Sequence, residues 1–447
     1  MRKTDVLILG GLCGITAGIS CRRHYPDKEV VLIRKEGTVL IPCGIPYIYG
    51  TVGGPEHNVI PDGLLEKNQI ELIKGEAVAV DRENKRVTLK DGEIIRYDRL
   101  VFATGSMPVI PPIPGIDKEN VFPIRKDFDY LSDVYEKMKS VKDLVIIGGG
   151  FIGVEFADES RKGRDVQVTV VEALQQCLQL AMDDEFCTEA QEKLAEAGVR
   201  IRVNRRVVEI LGDDAATGVR LDDGTEIKAD MVILGIGAKP NTALAEQSGI
   251  ELGFNHTIRV DSHMRTYTDP NIFAVGDCAE KHSFFSGRPV NTMLASIGTA
   301  EARIAGANLF SAVHHNPGAI SVFSTMVNGR AFAVAGLTER FAKDYGMNVV
   351  VGTAEALDTH PGGMPDSTLT KVKLVFAKET GVLLGGSLSG GKSVGELINV
   401  VSACIMHRMT ADEIVMFQMG THPALTSSPI SYPFVNAACK AVLPIKN

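Results

Sequence analysis

Leu144-Val-Ile-Ile-Gly148-Gly149-Gly150-Phe-Ile-Gly153-Val-Glu155 decides the fold. Four apolar residues make a strand, the glycines a tight turn, and the residues after them open a helix. Strand, G-x-G-x-x-G and helix together present backbone N–H groups to a pyrophosphate at the helix N-terminus. A second strand, 166–171, runs into Glu172, 24 residues after Gly148. A carboxylate there accepts hydrogen bonds from an adenosine ribose and repels a 2′-phosphate, so NADH is expected in preference to NADPH.

The same plan occurs earlier in weaker form. Residues 5–9 read as a strand, and Gly10-Gly-Leu-Cys-Gly14-Ile-Thr-Ala-Gly18 as a turn and a helix reaching Arg23. The full spacing would place glycine at Leu12 and Ile15, so this loop alone would suit an ordinary strand-to-helix turn equally well. The repeat continues, however. Tyr97-Asp-Arg-Leu-Val-Phe-Ala-Thr104-Gly105-Ser-Met-Pro108 parallels Ala229-Asp-Met-Val-Ile-Leu-Gly235-Ile-Gly237-Ala-Lys-Pro240, and each follows a hairpin signal, Asp91-Gly92 or Asp223-Gly224. Two copies of one plan imply two nucleotides held close together. Pro111-Pro-Ile-Pro-Gly115 is a stiff linker between them.

Beyond the second copy, which ends near Gln247, a strand runs into Gly276-Asp277. That aspartate suits either a polyol ligand or a helix N-cap. From about Ser324 the texture changes: 371–377 and 382–388 read as a hairpin, 393–407 as an amphipathic helix. A polar, proline-rich loop, Gly420-Thr-His422-Pro-Ala-Leu-Thr426, follows.

Thr38-Val-Leu-Ile-Pro-Cys43-Gly-Ile-Pro-Tyr47 carries the candidate chemistry. With a strand expected at 29–33 and a helix opening near Pro46, Cys43 would feel a helix N-terminus, which favours the thiolate. A buried cysteine acting as a small hydrophobe is the competing reading.

Composition narrows the partners. The net charge of -8 argues against nucleic acid. The longest apolar runs, such as 231–236, are too short to span a bilayer, and Met-Arg-Lys-Thr-Asp reads straight into a strand without a signal peptide. Eight scattered cysteines without a Cys-x-x-Cys pair fit a reducing cytoplasm and no structural metal site. His314-His315 reads as a solvated turn.

Together the two glycine loops, Ala103-Thr-Gly105, Gly276-Asp277 and the C-terminal hairpin with its helix resemble the two-dinucleotide flavoprotein disulfide reductases. Cys43-Gly-Ile-Pro-Tyr47, with Ile48 where many members carry a second cysteine, resembles the single-cysteine branch. That branch holds coenzyme A-disulfide reductases, NADH oxidases and peroxidases, and persulfide or polysulfide reductases. The resemblance implies an α/β chain with two Rossmann-like domains plus a C-terminal α+β dimerisation domain. It divides as 1–115 with 248–324 for FAD, 116–247 for NAD and 325–447 for pairing into a homodimer. FAD is then expected at Gly10, Gly14, Ala77, Thr104, Gly105 and Asp277, and NADH at Gly148, Gly150, Gly153, Glu155, Glu172 and Gly237. The acid expected on the FAD ribose falls on Arg34, with Glu36 as the substitute if the turn is offset. Cys43 is expected to be redox-active, with Tyr47 beside it and His422, from the partner subunit, as proton donor; His360 is the weaker candidate. The implied activity is NADH-dependent reduction of a small disulfide, persulfide or polysulfide. An NADH oxidase or peroxidase is the alternative, and a flavin-bound redox sensor or electron-transfer partner the reading from another class.

Overall fold

The structure, a computed structural model, describes residues 2–446. They form two compact units: 2–110, 123–140 and 237–319 in one, and 111–122, 141–236 and 320–446 in the other.

In the first unit strand Val30–Arg34, apolar up to its final arginine, is buried on both faces, as a central parallel strand must be. Strands Glu71–Lys74, Val30–Arg34, Arg2–Gly10 and Ile94–Ala103 lie side by side in that order, all parallel. Ile272–Ala274 adds to Ile94–Ala103 in parallel, while Arg86–Leu89 and Ala77–Asp81 extend the sheet as an antiparallel ribbon. Leu12–His24 and Ala295–Asn308 pack together, and Gly306 has no room for a side chain against Ala17 O.

The second unit repeats the plan. Met231–Leu234, Asp143–Ile147, Gln167–Val171 and Arg200–Arg202 are parallel neighbours in that order. The Asp-Gly turn at 223–224 joins Gly218–Leu221 to Glu226–Lys228 in antiparallel register. The same unit contains an antiparallel sheet in the order Val322–Val327, Arg330–Gly336, Leu383–Gly390, Leu369–Ala377, Val349–Leu357, with helices Val394–Met406 and Pro433–Lys446 against it. Ion pairs tie helix Asp184–Glu196 to this sheet: Glu189 meets Arg330 and Lys371, and buried Lys373 meets Asp183, Glu185 and Glu339.

One boundary differs from expectation. Residues 237–247 group with the first unit, because Ala238–Pro240 pairs antiparallel with Ser106–Pro108. The two equivalent ends of the repeat thus bond to each other.

Candidate functional site

At the first glycine loop, Gly10 has φ +135°, and a Cβ there would sit 1.9 Å from Ala103 O. Only glycine fits this turn. A Cβ at Gly14 would come within 2.9 Å of Ile8 Cγ2, so its absence lets the helix lie close on the strand. Cys13 fills the space beneath Gly276 and Gly298, where added Cβ atoms would fall 2.9 and 2.8 Å from its Sγ. Thr104 Oγ1 donates to Asn241 O at 2.6 Å, and Asn241 N donates back to Gly105 O at 2.9 Å. Gly237 O accepts from Val109 N at 3.0 Å, which places Gly237 in the first unit beside this crossing. Ala77 begins the antiparallel ribbon opposite Leu89.

Asp277 lies in a short 3₁₀ turn, Gly276–Cys278, rather than capping a helix. Its Oδ2 accepts from Ser106 Oγ at 2.7 Å and faces Lys126 Nζ at 3.2 Å. Although burial opposes it, the Lys126 charge and the Ser106 hydroxyl hold the Asp277 carboxyl below its usual range. The turn itself is clamped from below. Glu301 Oε2 accepts from Gly276 N at 2.9 Å and Lys281 Nζ donates to Gly276 O at 2.6 Å. Ser106, Lys126, Lys281 and Glu301 were invisible in the sequence reading, since the pairings span up to 171 residues.

At the end of Val30–Arg34, Arg34 is fully buried. Glu36 is engaged through its backbone carbonyl, which accepts from Arg34 Nε at 3.0 Å.

Cys43 lies in a 3₁₀ turn, Pro42–Gly44, followed by another, Pro46–Tyr49. This corrects the expected helix. Turns of three and four residues align too few peptides to give a helix dipole its strength, so that stabilisation of the thiolate does not apply. The loop is instead fixed by Asn58, which is 4% exposed. Asn58 Nδ2 donates to Ile41 O, Asn58 O accepts from Ile41 N (both 3.0 Å), and a Cβ at Gly44 would strike Asn58 Oδ1. Tyr47 is half-buried, and its carbonyl accepts from Val52 N at 2.9 Å. Tyr49, fully buried, donates to Leu131 O of helix Phe128–Met138.

Exposure separates Cys43 and Cys439 from the other six thiols. Cys43 and Cys439 are exposed; the other six are buried or half-buried. Burial pushes the thiols of Cys13, Cys21, Cys177 and Cys187 up to about 12, and those of Cys278 and Cys404 upward too. Such groups are poor nucleophiles at neutral pH.

The second loop is more closely fitted. Gly148 has φ +107° and abuts Gly235 O, while a Cβ at Gly153 would lie 1.9 Å from Gly148 O. Gly150, by contrast, has no atom within 4 Å of an added Cβ, so the space beside its Cα is open. Glu172 Oε2 accepts from Gly149 N at 2.6 Å, and Oε1 from Leu174 N at 2.7 Å. A carboxylate has about four acceptor positions, so two remain for ribose hydroxyls. Glu155, on helix Phe151–Arg161, accepts from Thr325 Oγ1 at 2.7 Å. Burial pushes its carboxyl up to about 7, with Glu159 and Asp158 adding to the rise.

The two histidine loops of the second unit meet each other. His360 N donates to Pro423 O at 2.8 Å, and His360 Nδ1 lies 2.9 Å from Thr426 O. A carbonyl partner requires Nδ1 to carry the proton, which leaves Nε2 as the exchanging nitrogen. His422 is exposed, and its Nδ1 accepts from Ala424 N at 3.2 Å. His360 also lines a cavity of ≈ 510 Å³ with Glu355, Leu357, Thr359, Ser428 and Ser431. The sequence ranked His422 above His360; the contacts give His360 the better-oriented ring. No helix among the described residues is long and apolar enough to cross a membrane.

The chain is similar to known proteins along its length. Residues 4–302 match the family model described as pyridine nucleotide-disulphide oxidoreductase, and residues 322–430 match its dimerisation domain. A Pyrococcus abyssi protein named NAD(P)H sulfur oxidoreductase (CoA-dependent) is 32% identical over 442 residues, 97% of each chain. A Methanocaldococcus jannaschii protein named NADH oxidase is 29% identical over 455 residues, 99% of each chain. The solved structure of a NAD-dependent persulfide reductase from A. fulgidus has a TM-score of 0.88 at 28% identity, covering 98% of this chain and 83% of that one.

Proposed function

Because the chain belongs to the pyridine nucleotide-disulphide oxidoreductase family, we propose that it reduces a low-molecular-weight disulfide, persulfide or polysulfide with NADH through the single cysteine Cys43. It is an oxidoreductase that uses FAD and a pyridine nucleotide, and it carries a dimerisation domain. The names of the Pyrococcus and A. fulgidus relatives favour a sulfur acceptor. The observation that carries the reading on this chain is Cys43: of the two exposed thiols, Cys43 and Cys439, it is the one in the same compact unit as the first glycine loop. Ile48, where a second cysteine would stand, is fully buried.

The residues fit the implied groups. The first loop leaves Gly105 open, with no atom within 4 Å of an added Cβ, and keeps Asp277 ionised for a polyol. We assign residues 1–115 and 237–324 to FAD, 116–236 to NADH and 325–447 to pairing of two subunits. When bound, FAD supplies the two-electron relay between nicotinamide and sulfur.

The chain's own residues do the rest. Cys43 thiolate attacks one sulfur of the acceptor, forming a new S–S bond and expelling the other sulfur as a thiolate or hydrosulfide. A histidine, His360 or His422 of the partner subunit, protonates the leaving sulfur. Two electrons from NADH then cleave the Cys43 S–S bond, releasing the retained sulfur and restoring the thiolate. Glu172 selects the unphosphorylated ribose, and Glu155 faces the nicotinamide end. Tyr47, half-buried in the turn that follows Cys43, is assigned beside the sulfur acceptor.

The relative named NADH oxidase favours a second reading, in which oxygen or peroxide is the acceptor. Peroxide would convert Cys43 to a sulfenic acid that NADH reduces. Steady-state rates with NADH against coenzyme A disulfide, polysulfide, peroxide and oxygen decide between them. The proposal expects kcat/KM for a sulfur acceptor to exceed that for oxygen and peroxide; the reverse order overturns it.

A further inference from the structure

His360 and His422 stand on loops that meet, but their rings are held in opposite ways. His360 Nδ1 lies 2.9 Å from the carbonyl oxygen of Thr426, which only accepts, so Nδ1 carries a proton and donates it. His422 Nδ1 accepts from Ala424 N at 3.2 Å, so it carries none. A second proton on His360 goes to Nε2 and leaves the Thr426 contact in place, strengthened by the charge. A second proton on His422 has to enter at Nδ1 and break the bond to Ala424. The contacts therefore let His360 alternate between neutral and charged forms while favouring the neutral form of His422.

The surroundings differ as well. His422 is exposed, whereas His360 is half-buried. With Glu355, Thr359, Ser428 and Ser431 it lines the cavity of ≈ 510 Å³, a volume suited to a small molecule. Thr426 serves both loops, since its hydroxyl accepts from His422 N at 3.0 Å while its carbonyl orients the His360 ring. An aryl thiolate leaves a disulfide readily, but an alkyl thiolate, being more basic, leaves slowly until it is protonated. A built proton donor is of use only for the second kind.

Resting on the sulfur-reductase reading above, we propose that this cavity seats the leaving half of an alkyl disulfide attacked by Cys43 of the partner subunit, and that His360, positioned by Thr426, protonates it. Cys43 bonds to one sulfur, the S–S bond of the acceptor breaks, and the electron pair stays on the leaving sulfur, which takes the His360 Nε2 proton. His360 is left neutral, still donating from Nδ1, and regains its proton from water. NADH supplies the two electrons that release the retained half, as above. His422, although it carries the His-Pro pair that the sequence ranked first, is then a loop residue.

The test compares NADH-dependent reduction of cystamine, an alkyl disulfide, with that of dithionitrobenzoate, an aryl one, by the full-length flavin-loaded chain. His360→Asn keeps a donor for Thr426 O in the place of Nδ1 but has nothing in the place of Nε2. It should lower kcat/KM for cystamine about 100-fold more than for dithionitrobenzoate. His422→Asn keeps an acceptor for Ala424 N and should lower both values in the same proportion. Equal losses on the two disulfides in His360→Asn mark a structural histidine and overturn the proposal, as does a cystamine-selective loss in His422→Asn. Wild-type protein that reduces polysulfide and dithionitrobenzoate but not cystamine overturns the proposal alone, and that comparison needs no variant to fold. Wild-type protein that reduces no sulfur acceptor overturns the sulfur-reductase reading itself, and the proposal with it.

Discussion

Glu172 and Glu155 show how single carboxylates set the second nucleotide site. Glu172 is anchored by two backbone N–H groups, so its orientation does not depend on bound nucleotide. Glu172→Ala should lower kcat/KM for NADH by about 10-fold while raising the value for NADPH, since both the ribose acceptor and the repulsion of a 2′-phosphate are lost. Unchanged preference in paired NADH and NADPH assays would contradict this. For Glu155 the sign follows from its raised pKa. The folded chain holds an extra proton between the ordinary 4.5 and about 7, so this group costs stability as pH rises through that window. Glu155→Gln should therefore melt above wild type at about pH 8 without nucleotide, the difference shrinking as pH falls and vanishing only below about pH 4.5. A gap that stays constant with pH would refute the assignment.

At the scale of elements, close backbone approaches position the chemistry. A Cβ at Gly153 meets Gly148 O, a main-chain atom that cannot step aside. Gly153→Ala should abolish NADH binding or lower stability by about 1–3 kcal/mol, read by nucleotide titration and urea melts. Asn58→Ala should leave the sheet intact but loosen the Cys43 loop, costing about 1–3 kcal/mol through the unpaired Ile41 carbonyl. Much at this scale was legible beforehand. The glycine loops, the Asp-Gly hairpins and the C-terminal hairpin with its helix follow from local periodicity and turn chemistry, and each occurs within a residue or two of its expected place. The 3₁₀ turns around Cys43 were not legible, because Pro42 and Pro46 suit a short turn and a helix start equally. Nor were the Asn58 clamp or the Ser106–Lys126–Asp277 cluster, which exist only once distant segments meet.

For the whole molecule, the dimerisation domain raises the question of how many chains build one site. The proposed mechanism takes Cys43 from one subunit and a histidine from the other. Mixing Cys43→Ser chains with chains lacking both His360 and His422 should then restore about a quarter of wild-type activity, because half the dimers are mixed and each has one intact site. No recovery after subunit exchange would place the proton donor on the same chain as the cysteine, or nowhere in these loops. The ion pairs of Glu189 and Lys373 join the second nucleotide fold to the C-terminal sheet within one unit, so exchange should proceed without unfolding either.

The central claim is that sulfur chemistry passes through one exposed thiol. NADH oxidation by wild type and Cys43→Ser, measured with polysulfide or coenzyme A disulfide and separately with oxygen, tests it most directly. The account predicts that the variant retains flavin and oxygen consumption but loses sulfur reduction by about 100-fold or more. Sulfur reduction at the wild-type rate in Cys43→Ser would contradict it.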